Sequence, residues 1–356
     1  MKITNVEITP VILRKDDMAW RFASGGGGES KGCTIRLTTD EGFVGLGYAG
    51  AAPHHGVPLG GLQEAMETYG RVVQGLDPFD TAQIMVLLDR TLHGNNAAQS
   101  GIEIALHDVQ AKKLGIPLYG LLGGLVREEI PVIRVLGLKE PGQMAENALK
   151  LVAQGYSYIK IKLGGDKEAA KDLERVREIR KAVGDNLHLT VDANQSYSPK
   201  RAIGNLRRME EWNVELCEQP VRADDWQGLA AVTRAVDMMV EAHESATSLE
   251  HIYGLVQGRV VDSINLKVGQ VGGLQRAKIA AAICKLGNVS VRVGMTGSRL
   301  LAAVSMHFVA STENISYACE LGEFTRITND PATGMEVENG ILRVPKSVGI
   351  GIHLRA

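Results

Sequence analysis

Tyr158-Ile159-Lys160-Ile161-Lys162 sets two amines two residues apart among β-branched neighbours. On a strand Lys160 and Lys162 share one face and the isoleucines the other, so an apolar face packed on helices turns both lysines inward. Two ammonium groups roughly 6 to 7 Å apart disfavour each other's charge, which lowers a lysine pKa toward the range of a general base. Two further segments, Val191-Asp192-Ala193-Asn194 and Leu216-Cys217-Glu218-Gln219-Pro220, each end an apolar run in a carboxylate. Carboxylates from adjacent strand ends can share a hard divalent cation such as Mg²⁺. Ser263 to Gly273 then offers Lys267 at another strand end, followed by glycines that let backbone approach a ligand.

These residues need a frame that brings strand ends together. After Gly123-Gly124, short β-rich runs alternate with amphipathic segments, the pattern of βα units on a parallel sheet. The runs are Ile130 to Leu136, Tyr158 to Lys162, Leu187 to Asp192, Val214 to Glu218, Met238 to His243, Ser263 to Lys267, Ser290 to Val293 and Ile315 to Glu320. Polar ends at Lys162, Asp192, Glu218, His243 and Lys267 recur at even steps, which favours a barrel over an open sheet and gathers those ends on one face. Ahead of the barrel, Lys2 to Leu13, Cys33 to Thr39 and Phe43 to Tyr48 read as a small antiparallel sheet, with Asp40-Glu41-Gly42 as a turn. Leu62 to Val73, Phe79 to Leu92 and Ala97 to Leu114 carry helical spacing. Met18 to Lys31, with Gly25 to Gly28, has no pattern that fixes it and reads as a lid or a surface loop.

The 356 residues exceed a usual single core, which leaves room for a deep pocket. A net charge of -2 gives no field to attract nucleic acid. The charged start, with Lys2, Glu7, Arg14, Lys15, Asp16 and Asp17, reads as neither signal peptide nor membrane helix, so a cytoplasmic location is expected. Cys33, Cys217, Cys284 and Cys319 form no C-x-x-C pair and are expected as small buried hydrophobes rather than disulfides or zinc ligands. The dinucleotide fingerprint G-x-G-x-x-G after a strand is absent, which sets a nicotinamide dehydrogenase aside.

Taken as a set, the K-x-K of Lys160 to Lys162, the D-A-N of Asp192 to Asn194, the E-Q-P of Glu218 to Pro220, and Lys267 before Gly272-Gly273 resemble the muconate lactonizing enzyme subgroup of the enolase superfamily. Pro117 to Gly124 and the tail from Asp330-Pro331 to Gly351 extend the resemblance over nearly the whole chain. It implies an α/β fold: a modified TIM (β/α)7β-type barrel with an N-terminal α+β capping domain. The division would be 1–124 for the cap with its lid loops, 125–322 for the barrel and 323–356 for a segment returning to the cap.

The same resemblance implies a divalent metal, Mg²⁺ first, that binds the substrate carboxylate, in the superfamily's pairing of a Lys or His base with metal. Lys162 and Lys267 would flank the substrate as acid/base groups. Lys160 would hold Lys162 electrostatically deprotonated or contact the carboxylate. Opposed bases permit inversion, so a racemase or epimerase of an amino acid or its N-substituted derivative leads. A dehydratase or cycloisomerase through the same enediolate follows, and a non-catalytic carboxylate-binding barrel is the reading from another class. A homo-oligomer is implied, with a small carboxylate as the only other partner and neither nucleic acid nor membrane.

Three departures from the family pattern bear on the site. Where Ala-Asp-Glu-Ser is usual, this chain reads Ala242-His243-Glu244-Ser245, so the third metal ligand is His243, Glu244 or water. An imidazole there would favour Mn²⁺ or Fe²⁺ over Mg²⁺. In Gly294-Met295-Thr296-Gly297-Ser298, Gly297 stands where many relatives have an acidic residue before the serine. Dipeptide epimerases tend to carry Asp-x-Asp where this chain has Cys319-Glu320-Leu321-Gly322-Glu323, so Glu320 or Glu323 would have to hold a cationic nitrogen. Substrate contacts are expected from Lys160, Ser298 and Glu320, from Trp20, Arg21, Phe22 and Ser24 on the glycine-rich loop, and from His54 and His55 on a second loop.

Overall fold

Apolar residues that alternate with polar ones build a sheet with one wet face, and the first fifty residues do so in a computed structural model that describes residues 1–23, 25–165, 169–295 and 297–355. Strands β1 (Ile3–Arg14), β2 (Glu29–Thr39) and β3 (Val44–Gly50) form an antiparallel meander. The turn between β2 and β3 closes through Gly42, at φ 82°, whose N–H donates to Thr39 O at 3.0 Å. Helices α1 (Leu59–Val73), α2 (Thr81–Thr91) and α3 (Asn96–Leu114) cover the other face. Ile35, Leu37, Met66, Tyr69, Ile84 and Ile102 pack there into a core separate from that of the barrel.

α3 is buried on every side from Ala98 to Ala111 because the sheet lies against one flank and the barrel against the other. Glycine makes the close approach possible: a Cβ at Gly45 would sit 2.1 Å from Ala105 O, and one at Gly47 2.2 Å from Gly101 O. Toward the barrel, the Glu103 carboxylate accepts from the N–H groups of Leu274 and Gln275, capping a barrel helix from the cap domain.

After α4 (Leu118–Leu121) and the short β4 (Glu129–Pro131), seven parallel strands follow in sequential order around a curled sheet. They are β5 (Ile133–Leu136), β6 (Tyr158–Lys162), β7 (His188–Asp192), β8 (Val214–Glu218), β9 (Met239–Ala242), β10 (Ser263–Leu266) and β11 (Ser290–Val293). The outer layer is α5 (Pro141–Ala153), α6 (Ala169–Val183), α7 (Pro199–Glu210), α8 (Trp226–Ala235), α9 (Leu249–Gln257), α10 (Val268–Val271), α11 (Leu274–Leu286) and α12 (Arg299–Ala310). The run Ile315 to Glu320, expected as a strand, pairs only at single points. Ile133 N–H donates to Cys319 O and Glu320 N–H to Val293 O, both at 2.9 Å, and these bonds close the ring between β5 and β11. The arrangement is a modified TIM barrel under an N-terminal cap.

The chain then returns to the cap. Asp16 N–H donates to Arg326 O at 2.8 Å and Thr328 N–H to Arg14 O at 2.8 Å. β12 (Ala332–Thr333) pairs with β14 (His353–Leu354), and β13 (Ile341–Arg343) with β4. All four cysteines are buried and free. Among the described residues no helix is long and apolar enough to cross a membrane.

Candidate active site

Parallel register sets the chemistry side by side. Lys162 is the register partner of Asp192, Asp192 of Glu218, and Glu218 of Glu241, so four strands contribute one row of charges. The alternation that buries Ile159, Ile161 and Val191 against the helices points this row into the barrel. Lys162 Nζ donates to Asp192 Oδ2 at 2.5 Å and to Asn194 Oδ1 at 3.0 Å. One pleat below, Lys160 Nζ meets Glu218 Oε2 at 2.6 Å, Glu320 Oε1 at 2.8 Å and Asp192 Oδ2 at 3.0 Å.

This geometry corrects the expectation that Lys160 has a lowered pKa. Burial alone would lower it, but Asp192, Glu218 and Glu320 together raise it well above the ordinary lysine value. The mutual repulsion of two lysines on one strand is outweighed by carboxylates from β7, from β8 and from the ring-closing run that ends in Glu320. Lys160 is therefore a fixed cation that holds the acidic row together. Glu218 answers it: burial would raise its pKa, and Lys160, His243 and Arg292 bring it well below the usual range.

Lys267, just past the end of β10, faces the site from the far side, with β7, β8 and β9 lying between β6 and β10. No hydrogen bond or ion pair engages its Nζ among the described residues. Burial lowers its pKa, and although Glu320 and Glu218 pull the other way, Lys160 and Lys162 reinforce the lowering. Both Lys267 and Lys162 also add to the burial that lowers the pKa of His54, and Lys267 lines the space between barrel and cap.

The roof of that space is aromatic. Trp20 and Phe22 lie 5.9 Å apart, Phe22 and His54 5.4 Å, His54 and His55 4.4 Å, and His55 and His243 5.6 Å between ring centroids. Lys162 Nζ sits 5.4 Å from the Phe22 centroid. Trp20 is buried between the Lys15 ammonium, 3.5 Å from its ring, and Gly137, where a Cβ would come within 2.7 Å of the indole. Its ring thus supports Phe22, while Arg21 O accepts from Leu138 N–H at 2.9 Å and ties the loop to the barrel. Burial holds His55 neutral, at a pKa of about 3. Ser24 lies outside the described residues, as does Thr296.

At the end of β9, His243 and Glu244 both turn inward and are buried. His243 Nδ1 lies 3.3 Å from Glu218 Oε1 and 3.2 Å from Glu244 Oε2, close enough for charge attraction but misdirected for hydrogen bonding. Both ring nitrogens and Glu244 Oε2 are left without a hydrogen-bond partner. Buried donor atoms of this kind, beside Asp192 and Glu218, fit a divalent cation. Among the described residues no set of three His, Cys, Asp or Glu side chains is already gathered around one point. The lysines account for this by holding Asp192, and Lys160, Arg292 and Asn265 by holding Glu218 Oε2.

Ser298 caps α12: its hydroxyl accepts from Leu300 N–H at 2.9 Å, and the residue is fully buried. Glu320 finds its cations within the chain, in Lys160 and in Arg292 Nη1 at 3.2 Å. Glu323 is likewise engaged, accepting from Val135 N–H at 3.1 Å and pairing with Arg134 and Arg326. Gly297 has φ 106°, and a Cβ there would strike Tyr48 Oη at 2.6 Å, so this backbone leaves no place for an acidic side chain.

Two members of the buried network were not singled out in the sequence. Arg292 on β11 binds Glu241 and Glu218, the latter at 2.5 Å, and Glu241 on β9 also accepts from Ser263 Oγ at 2.9 Å. Burial pushes Glu241 up to about 7 against the pull of Arg292. The only sign in the sequence was a charge at the centre of an apolar run, Val291-Arg292-Val293 and Val240-Glu241-Ala242.

Comparison with known proteins follows the same lines. Residues 8–123 match the mandelate racemase/muconate lactonizing enzyme N-terminal domain, and residues 143–356 the enolase C-terminal domain-like family. A hydrophobic dipeptide epimerase of Enterococcus faecalis is 33% identical over 322 residues, spanning 89% of this chain and 90% of that protein. An N-succinyl-L-Arg/Lys racemase of Bacillus cereus is 28% identical, spanning 90% and 87%. The crystal structure of the dipeptide epimerase from Enterococcus faecalis V583, complexed with Mg and L-Leu-L-Tyr, superposes with a TM-score of 0.94 at 31% identity, covering 99% of each chain. With its cap and its barrel both matched by family models and by these relatives, the chain belongs to the mandelate racemase/muconate lactonizing enzyme family of the enolase superfamily.

Proposed function

We propose that this protein is an isomerase that removes and returns the proton next to a substrate carboxylate, acting as a racemase or epimerase of an amino acid or an N-substituted amino acid. The observation that carries this reading is the unequal pair of amines across the barrel. Lys267 has a lowered pKa, as a base requires, and no hydrogen bond or ion pair among the described residues, whereas Lys162 donates to Asp192 and Asn194, the arrangement a proton donor needs. A proton taken on one face of the α-carbon by Lys267 and one given on the other by Lys162 inverts the centre. Lys160 stays charged and positions Asp192 and Glu218.

Asp192, Glu218 and one of His243 and Glu244 would hold a divalent cation, Mg²⁺ by analogy with the complexed relative. When bound, such a cation stabilises the negative charge that develops on the substrate carboxylate. The aromatic roof, with His55 neutral, keeps water from the reacting carbon and adds no competing charge.

The test is deuterium uptake at the α-carbon in D₂O, with N-acyl amino acids and Mg²⁺, followed by mass and NMR. Exchange without loss of mass as water is expected, which separates an epimerase from a dehydratase. Lys162→Ala and Lys267→Ala should each slow exchange of the proton on their own face by about 10² to 10⁴-fold. Wild-type exchange in both variants would overturn the assignment.

A further inference from the structure

Outside the barrel a cleft of about 690 Å³ opens between α5, the end of β5 and the returning segment at Thr325 and Arg326, large enough for a small molecule. Lys162, Asp192, Glu218 and Lys267 take no part in its lining. Trp20 and Gly137 do, so the residue that anchors the glycine-rich loop belongs both to this cleft and to the roof over Lys162.

The lining carries more positive than negative charge. Arg134, Lys139, Lys150 and Arg326 stand against Asp16 and Asp17, and Asp17 is already paired with Lys139 at 2.8 Å. The two guanidiniums share one carboxylate. Glu323 lies 3.5 Å from Arg134 Nε and 3.4 Å from Arg326 Nη1, both longer than an ordinary charge-assisted hydrogen bond. Their other bonds go to neutral oxygens: Arg134 Nη1 donates to Tyr156 Oη at 3.2 Å and to Thr325 Oγ1 at 2.6 Å, and Arg326 Nη1 to Val135 O at 3.1 Å. Among the described residues the Nη2 groups of both have no acceptor, and both Nε atoms are buried without a hydrogen bond. Lys150, exposed on α5, has only Asn147 Oδ1, at 3.4 Å, to receive it.

Behind Trp20 the field has the same sign. Lys15 Nζ lies 3.5 Å from the indole centroid and finds only Gly27 O, at 3.4 Å. Burial brings its pKa down to about 8, and although Glu323 pulls upward, Arg326 and Lys162 reinforce the lowering. Cations gathered around so few carboxylates are best completed by an anion from outside.

We infer that this cleft is an effector site for a small polyvalent oxyanion, which meets the Arg134 and Arg326 guanidiniums and the Lys150 ammonium and, by packing on Trp20, holds the glycine-rich loop over the reaction chamber. Guanidinium forks suit phosphate and carboxylate oxygens alike, so the test carries one probe of each kind.

The full chain is titrated calorimetrically at low ionic strength and without divalent metal, using pyrophosphate and tricarballylate, with acetate as the monovalent control. At least one polyvalent probe should bind about tenfold or more tightly than acetate, and the tighter of the two identifies the oxyanion. Lys150→Glu, on an exposed helix face, should weaken that binding about tenfold. Arg326→Gln should weaken it by about tenfold or more. Lys267→Ala, in the other chamber, should leave it unchanged. Hydrogen exchange read by mass spectrometry should slow at Trp20, Phe22 and Leu138, whose N–H groups donate to Asp17, Gly25 and Arg21 carbonyls. At the same anion concentration Lys150→Glu should show less slowing. Polyvalent probes no tighter than acetate, binding that Lys150→Glu and Arg326→Gln leave intact, binding lost in Lys267→Ala, or binding with unchanged exchange at the loop would overturn the effector site.

Discussion

His243 stands where an aspartate is usual, and its ring nitrogens are the buried donors that the surrounding chain leaves without hydrogen bonds. An imidazole is a softer ligand than Mg²⁺ prefers and suits Mn²⁺ or Fe²⁺ better. His243→Asp is therefore expected to tighten Mg²⁺ binding relative to Mn²⁺ by about tenfold or more, measured by parallel calorimetric titrations. An unchanged ratio would mean that the third donor is Glu244 or solvent. At this scale the residue types in the site were legible, because Lys, Asp and Glu at the ends of apolar runs have few structural explanations. Their ionisation was not legible. The argument for a lowered lysine pKa considered only the neighbour two positions along the strand, whereas Lys160 is controlled by Asp192, Glu218 and Glu320, which reach it through register with other strands and through ring closure. Arg292 escaped notice for the same reason, since a lone charge in an apolar run reveals its partner only when the order β9-β10-β11 brings Glu241 across β10 to it.

Among the elements, the glycine-rich loop after β1 shows how a segment without pattern is held in place. Its anchor is Trp20, set between Lys15 and the bare backbone of Gly137, with Lys139 pairing to Asp17 at 2.8 Å. Gly137→Ala would drive a methyl group into the indole and displace Phe22, which stands over Lys162. The expected result is a ten- to hundredfold drop in kcat/KM, as for a misplaced site wall, together with a changed near-ultraviolet dichroism of tryptophan. Unaltered kinetics with an altered spectrum would show that the loop does not close the site. The strands β6, β8 and β11 fall at the bounds read from the sequence, although each carries charge among its apolar residues. Ile315 to Glu320 had the same appearance but pairs only at points, because ring closure joins it to β5 and β11 through a few bonds rather than a full ladder. Composition alone could not separate the two cases.

For the molecule as a whole, one buried histidine gives stability a defined acid limb. Burial pushes His307 down to about 4, and the neutral ring contacts Ile350 O at 3.1 Å. The folded value lies below the unfolded one, so as pH falls the unfolded chain takes up the proton first. Stability from this group is complete above about 6.5 and is lost between there and about 4. Between pH 7 and pH 5 the loss is on the order of 1 to 2 kcal/mol. His307→Leu should start less stable at pH 7 yet lose less on acidification, read from urea midpoints at the two pH values, and an equal loss in both proteins would refute this. A related junction is Asp108 in α3. One of its oxygens accepts from Leu46 N–H at 2.8 Å, and the other from Ile350 N–H at 2.9 Å, 242 positions further along. During synthesis a nascent chain exposes its early segments first. One oxygen of Asp108 can find Leu46 and Lys112 as soon as residues 1–114 emerge, but the other waits for Ile350, so the seam between α3 and the returning segment closes only once that segment is made.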